Sequence, residues 1–386
     1  MAIFKPTRKI IIKNNKTMKR IVLTIMAVAA LAACTKSEVA YEAPAEICFT
    51  PTAKNITKAA ITDGVYPTQQ PLAVYAAYGN VEPETVVNDD NVSDFSTAFL
   101  NDANFTYKTV GSISAWGGGY SWPNNGSLIF AGYSKPVSGE IGTSRTYNFE
   151  SDVLTINGYT QSTSTASTFD LGWYGRTAKS YNYRNVEDAV DVTLSHALSL
   201  IEIRAYGEGT PVAEGNPWQI KSITMNNVAN TGTVSCTGAG VAKATWSQLG
   251  TANNDIAILT TQKPLTKSET TVYEDVTAGT IVIPQTPTAV DTKNPGTADT
   301  EVATLTVTYT YKSPASTSDN VIWMPDQTTT VSLQLTDAKD KNGNPVTGGW
   351  KSGYKYIYTL KFKGNEILVA PSYEAWTEAS QNITVE

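Results

Sequence analysis

Threonine alternates with a larger, mostly apolar residue along Thr304-Leu-Thr-Val-Thr-Tyr-Thr-Tyr311. A period of two suits an extended strand with one buried face, because successive side chains leave a strand on opposite sides. The same period returns at Tyr354, Tyr356, Tyr358, Leu360 and Phe362. There Lys355, Thr359, Lys361 and Lys363 take the other face, with Ile357 the exception, and Val331-Ser-Leu-Gln-Leu335 repeats the theme. Between such runs lie residues that accept positive φ or fix it at about −65°: Gly117-Gly-Gly119, Pro123-Asn-Asn-Gly126, Asn294-Pro-Gly296 and Lys341-Asn-Gly-Asn-Pro345. Sustained helical periodicity is hard to find, and Thr, Val, Tyr and Ser abound. The expectation is an all-β chain of short strands packed as β-sandwiches.

Val192, Leu194, His196, Leu198 and Leu200 share one face of a further strand, after which the apolar set moves to Ile201 and Ile203. A bulge near Leu200 accounts for that shift of register. Upstream, Ser151 to Asn185 is polar and Ser/Thr-rich, so the division between two domains of ordinary size is expected close to Asn185.

The N-terminal region carries a different signal. Ile25-Met-Ala-Val-Ala-Ala-Leu-Ala-Ala-Cys34 is too short for a membrane span, which takes roughly twenty apolar residues, but suits the core of a secretory signal. Met18-Lys19-Arg20 supplies the positive flank, and Met18 makes a better start than Met1. Leu31-Ala-Ala-Cys34 matches a bacterial lipobox, in which the cysteine thiol takes a diacylglycerol before cleavage, so Cys34 is read as the lipidated first residue. Removing the seven basic residues that precede Cys34 leaves 22 of 29 against 35 acidic ones, a net of −13. Nucleic acid is not expected as a partner for so acidic a chain.

Chemistry is sparse. With one histidine, no HExxH and no paired Cys or His spacing, neither a metal site nor a cofactor is expected. Cys48 and Cys236 are far apart, and spacing does not argue for a disulfide. His196 sits within an apolar alternation and reads as a hydrogen-bonded core histidine rather than a general base. Asp89-Asp90 and Glu187-Asp188 read as solvated loop charge, since adjacent carboxylates on a strand face opposite ways. Gly238 to Lys243 lacks the Gly-Lys-Ser/Thr ending of a phosphate loop. Asp337 to Asn344 places lysines where calcium needs oxygen ligands and reads as a hairpin connection. Trp116, Trp122, Trp173 and Trp350 could stack on sugars but fit a sandwich core better.

Several segments appear in a telling order: the lipobox, Ile47-Cys-Phe49, Ile56-Thr-Lys58-Ala-Ala60, Leu72-Ala-Val-Tyr-Ala-Ala-Tyr78, and Ile129-Phe-Ala-Gly-Tyr-Ser-Lys-Pro136. Asp170-Leu171, Leu194-Ser-His-Ala-Leu-Ser199, Ile283-Pro-Gln285, Trp350-Lys-Ser-Gly-Tyr354 and Trp376 follow. In this order the chain resembles the fimbrillin-like proteins of Bacteroidales, relatives of the major and minor fimbrillin subunits of type V pili.

The resemblance implies two transthyretin-like β-sandwich domains in tandem and export as a lipoprotein of the outer membrane. A trypsin-like protease would then cut after Arg or Lys, and subunits would join by donor-strand exchange into a fimbrium at the cell surface. Carried onto this sequence, residues 1–33 are the signal peptide, 34–58 a lipidated leader with the first strand, 59–188 the N-terminal sandwich and 189–386 the C-terminal one. Lys58-Ala59 is the expected cleavage bond, with Lys54-Asn55 a second choice; the family's better-known subunits carry arginine there. Ile47 and Phe49 mark the displaced strand, and Ile383 and Val385 a candidate donor strand. Expected partners are other pilus subunits, the outer membrane through the lipid before cleavage, and a receptor on a host or bacterial surface. No catalysis is expected. The rival readings are an anchored glycan-binding lipoprotein and a glycosidase, which needs two carboxylates facing across a cleft, about 5 to 9.5 Å apart.

Overall fold

The alternating runs are strands. A computed structural model describes residues 46–53, 66–139, 141–163, 169–184, 186, 189–208, 218–238, 243–252, 254–266, 274–277, 279–286, 303–313, 315–317, 319–333, 349–363 and 366–375, all within one compact unit, Glu46–Glu386. Seven strands close on themselves as a barrel: β1 (Glu46–Ala53), β2 (Leu72–Gly79), β3 (Thr97–Val110), β4 (Ile113–Ser121), β5 (Ser127–Ser134), β8 (Gly172–Tyr174) and β9 (Val190–His196). Their order around it is β1-β4-β3-β2-β5-β8-β9, with β9 returning to β1. A second sheet runs β13-β12-β7-β6, from β6 (Ser144–Asn148), β7 (Val153–Thr160), β12 (Thr231–Thr237) and β13 (Ala244–Ser247).

The third sheet has the order β16-β10-β20-β21, with β17 also on β10. Its members are β10 (Ser199–Glu208), β16 (Glu274–Asp275), β17 (Thr280–Val282), β20 (Tyr354–Lys363) and β21 (Glu366–Ala375). The fourth runs β14-β11-β18-β19 with β15 also on β11. It comprises β11 (Trp218–Val228), β14 (Asn254–Leu259), β15 (Lys263–Pro264), β18 (Thr304–Tyr311) and β19 (Gln327–Ser332). Among the described residues the single helical element is a 3-10 turn at Val92–Asp94, and no helix is long and apolar enough to cross a membrane.

Three large cores follow from these sheets. Ile47, Phe49, Leu72, Val74, Phe105, Trp116, Phe130, Val192 and Leu194 fill the barrel. The outward face of the barrel wall, with Tyr75, Tyr133 and Trp173, packs with Leu154, Ile156, Val234 and Cys236 of the β13-β12-β7-β6 sheet. Ile201, Ile203, Tyr356, Tyr358, Leu360 and Phe362 meet Ile220, Ile223, Leu305, Val307 and Tyr309 to make the third. Each is a layer of alternating side chains between two β surfaces, as in a sandwich. The alternation read at 304–311 and 354–363 holds through the middle of both strands: Leu305, Val307, Tyr309, Tyr356, Tyr358, Leu360 and Phe362 are buried, with Ile357 buried on the other face, whereas Tyr311 and Tyr354 at the strand ends are half-buried and Thr310 is buried. The division expected between 188 and 189 falls just before β9, and the β13-β12-β7-β6 sheet takes strands from either side of it.

Two local expectations are corrected. The run from Val192 to Ile203 is not one bulged strand. It breaks at Ala197-Leu198, where the chain leaves the barrel as β9 and enters the third sheet as β10, so the register changes because the sheet changes. Gly117-Gly-Gly119 is not a turn but lies inside β4. Pro123 to Gly126 is the connection from β4 to β5, with Gly126 at φ +67°, and residues 239–242 of the Gly238–Lys243 stretch lie outside the described residues. Asn294–Gly296, Asp337–Asn344 and Lys341–Pro345 lie outside the described residues.

Candidate assembly site

Ile47 and Phe49, expected to mark a displaced strand, lie on β1, and β1 occupies a slot with two walls. On one side it runs antiparallel to β4, with Glu46 opposite Ser121, Cys48 opposite Gly117 and Phe49 opposite Trp116. On the other it runs parallel to β9, from Phe49 opposite Val190 to Ala53 opposite Leu194. The two ladders overlap only at Phe49. Pro51, two residues on, has no N–H to give, which suits a place where the β4 ladder has ended.

Alternation then sorts the side chains. Ile47 and Phe49 are wholly buried in the barrel. The Phe49 ring meets Phe105 and Phe130 edge to face, each at 5.1 Å between centroids and with interplanar angles of 85° and 89°. Burial of such side chains stabilises by about 1.5–3 kcal/mol each, and favourable aromatic geometry adds about 0.5–1.5 kcal/mol per pair.

Polar contacts pin the two ends of β1. Glu46 pairs with Lys108 Nζ at 2.7 Å and accepts the Gly119 N–H at 2.6 Å. Burial works against its charge, but the bonds from Lys108 and Gly119 outweigh that and hold the Glu46 carboxyl below its ordinary 4.5. The glycines make this arrangement possible. A Cβ on Gly117 would stand 2.4 Å from Lys108 Cε and 2.7 Å from Glu46 Oε1, and Gly119 at φ +78° takes up the register shift between Glu46 and Cys48. At the other end, Thr50 Oγ1 donates to Asp191 Oδ1, and Thr52 Oγ1 lies 3.0 Å from Thr193 Oγ1. Cys48 lies between the two inward side chains and is itself buried as a free thiol. Burial, with the Glu46 carboxylate adding to it, pushes this thiol up to about 11. Cys236 is also a free buried thiol.

Tyr66 is buried in the same core, edge-on to Trp116 at 5.3 Å and donating from its hydroxyl to the Pro71 carbonyl at 2.8 Å. Lys54, Lys58 and Ala59 fall between Ala53 and Tyr66 in sequence. Together with Cys34, Ile383 and Val385 they lie outside the described residues. The slot walls were not evident from sequence: Pro51 and the glycine run were the available signals, while the Phe105 and Phe130 contacts join residues far apart in the chain.

The other candidate groups resolve simply. His196 is buried, its Nδ1 2.7 Å from Asp170 Oδ2, which is the hydrogen-bonded core histidine expected. Asp89 sits on an exposed turn and pairs with Arg176 Nη2 at 2.8 Å; Glu187 and Asp188 lie outside the described residues. Trp116, Trp122, Trp173 and Trp350 are all buried, so none offers a face to a sugar ring. Among the described residues no cluster of three or more His, Cys, Asp or Glu could hold a metal ion.

Comparison with known proteins places the chain in a family. The Fimbrillin-like family model matches residues 57–376, starting after β1. No curated protein matches the chain. A solved fimbrial protein of Bacteroides vulgatus is similar in fold, with a TM-score of 0.54 at 15% identity, covering 86% of this chain and 99% of that one. A candidate cell adhesion protein of Bacteroides uniformis gives 0.46 at 14%, covering 86% and 98%. The tip fimbrial protein Mfa3 of Porphyromonas gingivalis, truncated at its C-terminus, gives 0.35 at 10%, covering 80% and 94%. The family match spans most of an all-β chain, and on that ground the protein belongs to the fimbrillin-like family of fimbrial and cell-adhesion proteins.

Proposed function

We propose that the protein is a fimbrial subunit, structural or at the tip, whose β1 holds a place in the barrel until proteolysis frees it for a strand from a neighbouring subunit. The observation that carries this reading is the position of β1. It is the N-terminal strand of the barrel, it fills the core with Ile47 and Phe49, and its two ladders are short. A cut at Lys58-Ala59 separates it from everything that follows while leaving Tyr66 packed on Trp116. Loss of β1 would uncover an apolar slot and leave N–H and C=O groups of β4 and β9 unpaired. Such an edge is satisfied by an added strand through main-chain bonds and alternate side-chain pockets.

On this reading Cys34 carries the lipid that holds the precursor at the outer membrane, and the leader from Cys34 to Lys58 is discarded. The mature subunit enters the fimbrium, gives a strand containing Ile383 and Val385 to its neighbour, and contributes to adhesion to a host or bacterial surface. The family match starting at residue 57, next to Lys58 and beyond β1, fits a mature chain that begins there.

N-terminal sequencing of protein released from cells tests the scheme. Multimers should begin at Ala59, and Lys58→Ala combined with Lys54→Ala should leave only an acylated, unassembled form. Multimers that still carry Cys34 through Lys58 would overturn the proposal.

A further inference from the structure

The slot also specifies what can fill it, and we propose that it selects a donor strand with an aromatic residue two positions after a branched aliphatic one. The donor is therefore a strand of a different subunit rather than the 379–386 segment of a second copy of this chain. This inference rests on the strand-replacement reading above.

The pocket under Phe49 is aromatic on two sides. Phe105 and Phe130 both present to the Phe49 ring at 5.1 Å, close to perpendicular, and Trp122 in turn meets Phe130 at 5.8 Å and 83°. All four rings are buried, Phe49, Phe105 and Phe130 completely. The neighbouring position is filled by Ile47, also completely buried. A strand that replaces β1 must reproduce this pair, because protein interiors are close-packed and a large-to-small exchange leaves a cavity.

The segment Ala379-Ser-Gln-Asn-Ile-Thr-Val-Glu386 has the right alternation but no aromatic residue. Laid in the slot with Ile383 at the Ile47 position it puts Val385 under Phe105 and Phe130; run the other way it puts Ile383 there. Either polarity underfills the larger pocket. Ile383 and Val385 are suited to a slot whose own placeholder strand is smaller than Ile47-Cys-Phe49, so the two ends of this subunit fit different neighbours.

The test uses the full chain with Cys34→Ser, nicked after Lys58 by a lysine-specific protease, and fluorescent peptides that compete with β1. The Glu46–Ala53 peptide should exchange into the slot. The 379–386 peptide should bind on the order of tenfold or more weakly than the same peptide carrying Val385→Phe, or carrying Ile383→Phe where the strand runs the other way. Equal binding of all three would overturn the selectivity while leaving strand replacement intact. Failure of the Glu46–Ala53 peptide itself to exchange would overturn strand replacement and the selectivity with it. In the uncut chain, where no exchange is needed, Phe49→Val should lower the melting temperature more than Ile47→Val; a reversed order would remove the aromatic pocket as the basis of choice.

Discussion

β1 and β20 are built to the same plan and differ in how firmly they are held. Each is a middle strand with one parallel and one antiparallel neighbour, and each sends alternate large side chains into a core. β20, however, is paired along Leu200–Glu208 of β10 and along Glu366–Ala375 of β21. β1 is paired with β9 over five residues and with β4 at three positions, the two ladders meeting only at Phe49. Side-chain burial is alike in the two strands and backbone pairing is not. A strand can therefore be essential to a core and still be weakly woven into its sheet, the combination that the proposed function requires of β1.

The sharpest way to break that comparison is to remove one aromatic from each strand. Phe49→Ala and Phe362→Ala should each cost about 3–5 kcal/mol in denaturant unfolding, as expected for buried phenylalanines; Phe362 is edge-on to Tyr309 at 5.2 Å. The two should part in how they lose it, with Phe49→Ala releasing β1 in a separate early step and Phe362→Ala unfolding cooperatively. A single transition in both variants would show that β1 is as firmly integrated as β20.

A smaller effect is expected in the unaltered barrel. Under native conditions and in a Cys34→Ser chain, Cys48 should react with a thiol reagent on the order of tenfold faster than Cys236, because short ladders open locally below the cost of global unfolding. Matching rates would mean that β1 opens only when the whole unit does. The protein offers its own control here, since both thiols are buried and free.

The smallest effect is a pH dependence. The Glu46 carboxyl is held below 4.5 in the folded chain, so its contribution is present above that pH and is lost as pH falls through the lowered value. Glu46 and Lys108 are partly solvated, at 23% and 39% side-chain exposure, so the loss should be no more than about 1 kcal/mol. Labelling of Cys48, taken relative to Cys236 at the same pH so that the falling thiolate fraction cancels, should quicken modestly in acid, and Lys108→Ala should remove most of that change. An acid response unaltered in Lys108→Ala would assign it to another group.

Much of the fold was legible because strands declare themselves locally. The period of two at 304–311 and 354–363 states which side chains face a core, and the structure buries those residues except Tyr311 and Tyr354 at the strand ends, which are half-buried. The two misread segments show where local pattern stops being informative. Val192 to Ile203 reads as one strand because a change of sheet and a bulge produce the same shift in alternation. Gly117 to Gly119 reads as a turn because the sequence does not reveal that Glu46 and Lys108 must cross there. For the site, Ile47 and Phe49 were identified through a family resemblance; their shared face is a matter of spacing, but the Phe105 and Phe130 rings around them come from other strands.

By itself the sequence determined that this chain is all-β and which residues of its alternating strands turn inward, because these depend on neighbours one to four positions away. Only the tertiary structure decided that β1 stands between β4 and β9, that the ladder with β4 ends near Pro51, and that Phe49 closes an aromatic pocket. Those facts depend on pairings such as Phe49 with Val190 and with Trp116. Strand partners are fixed by how whole faces are buried together rather than by any short stretch of sequence.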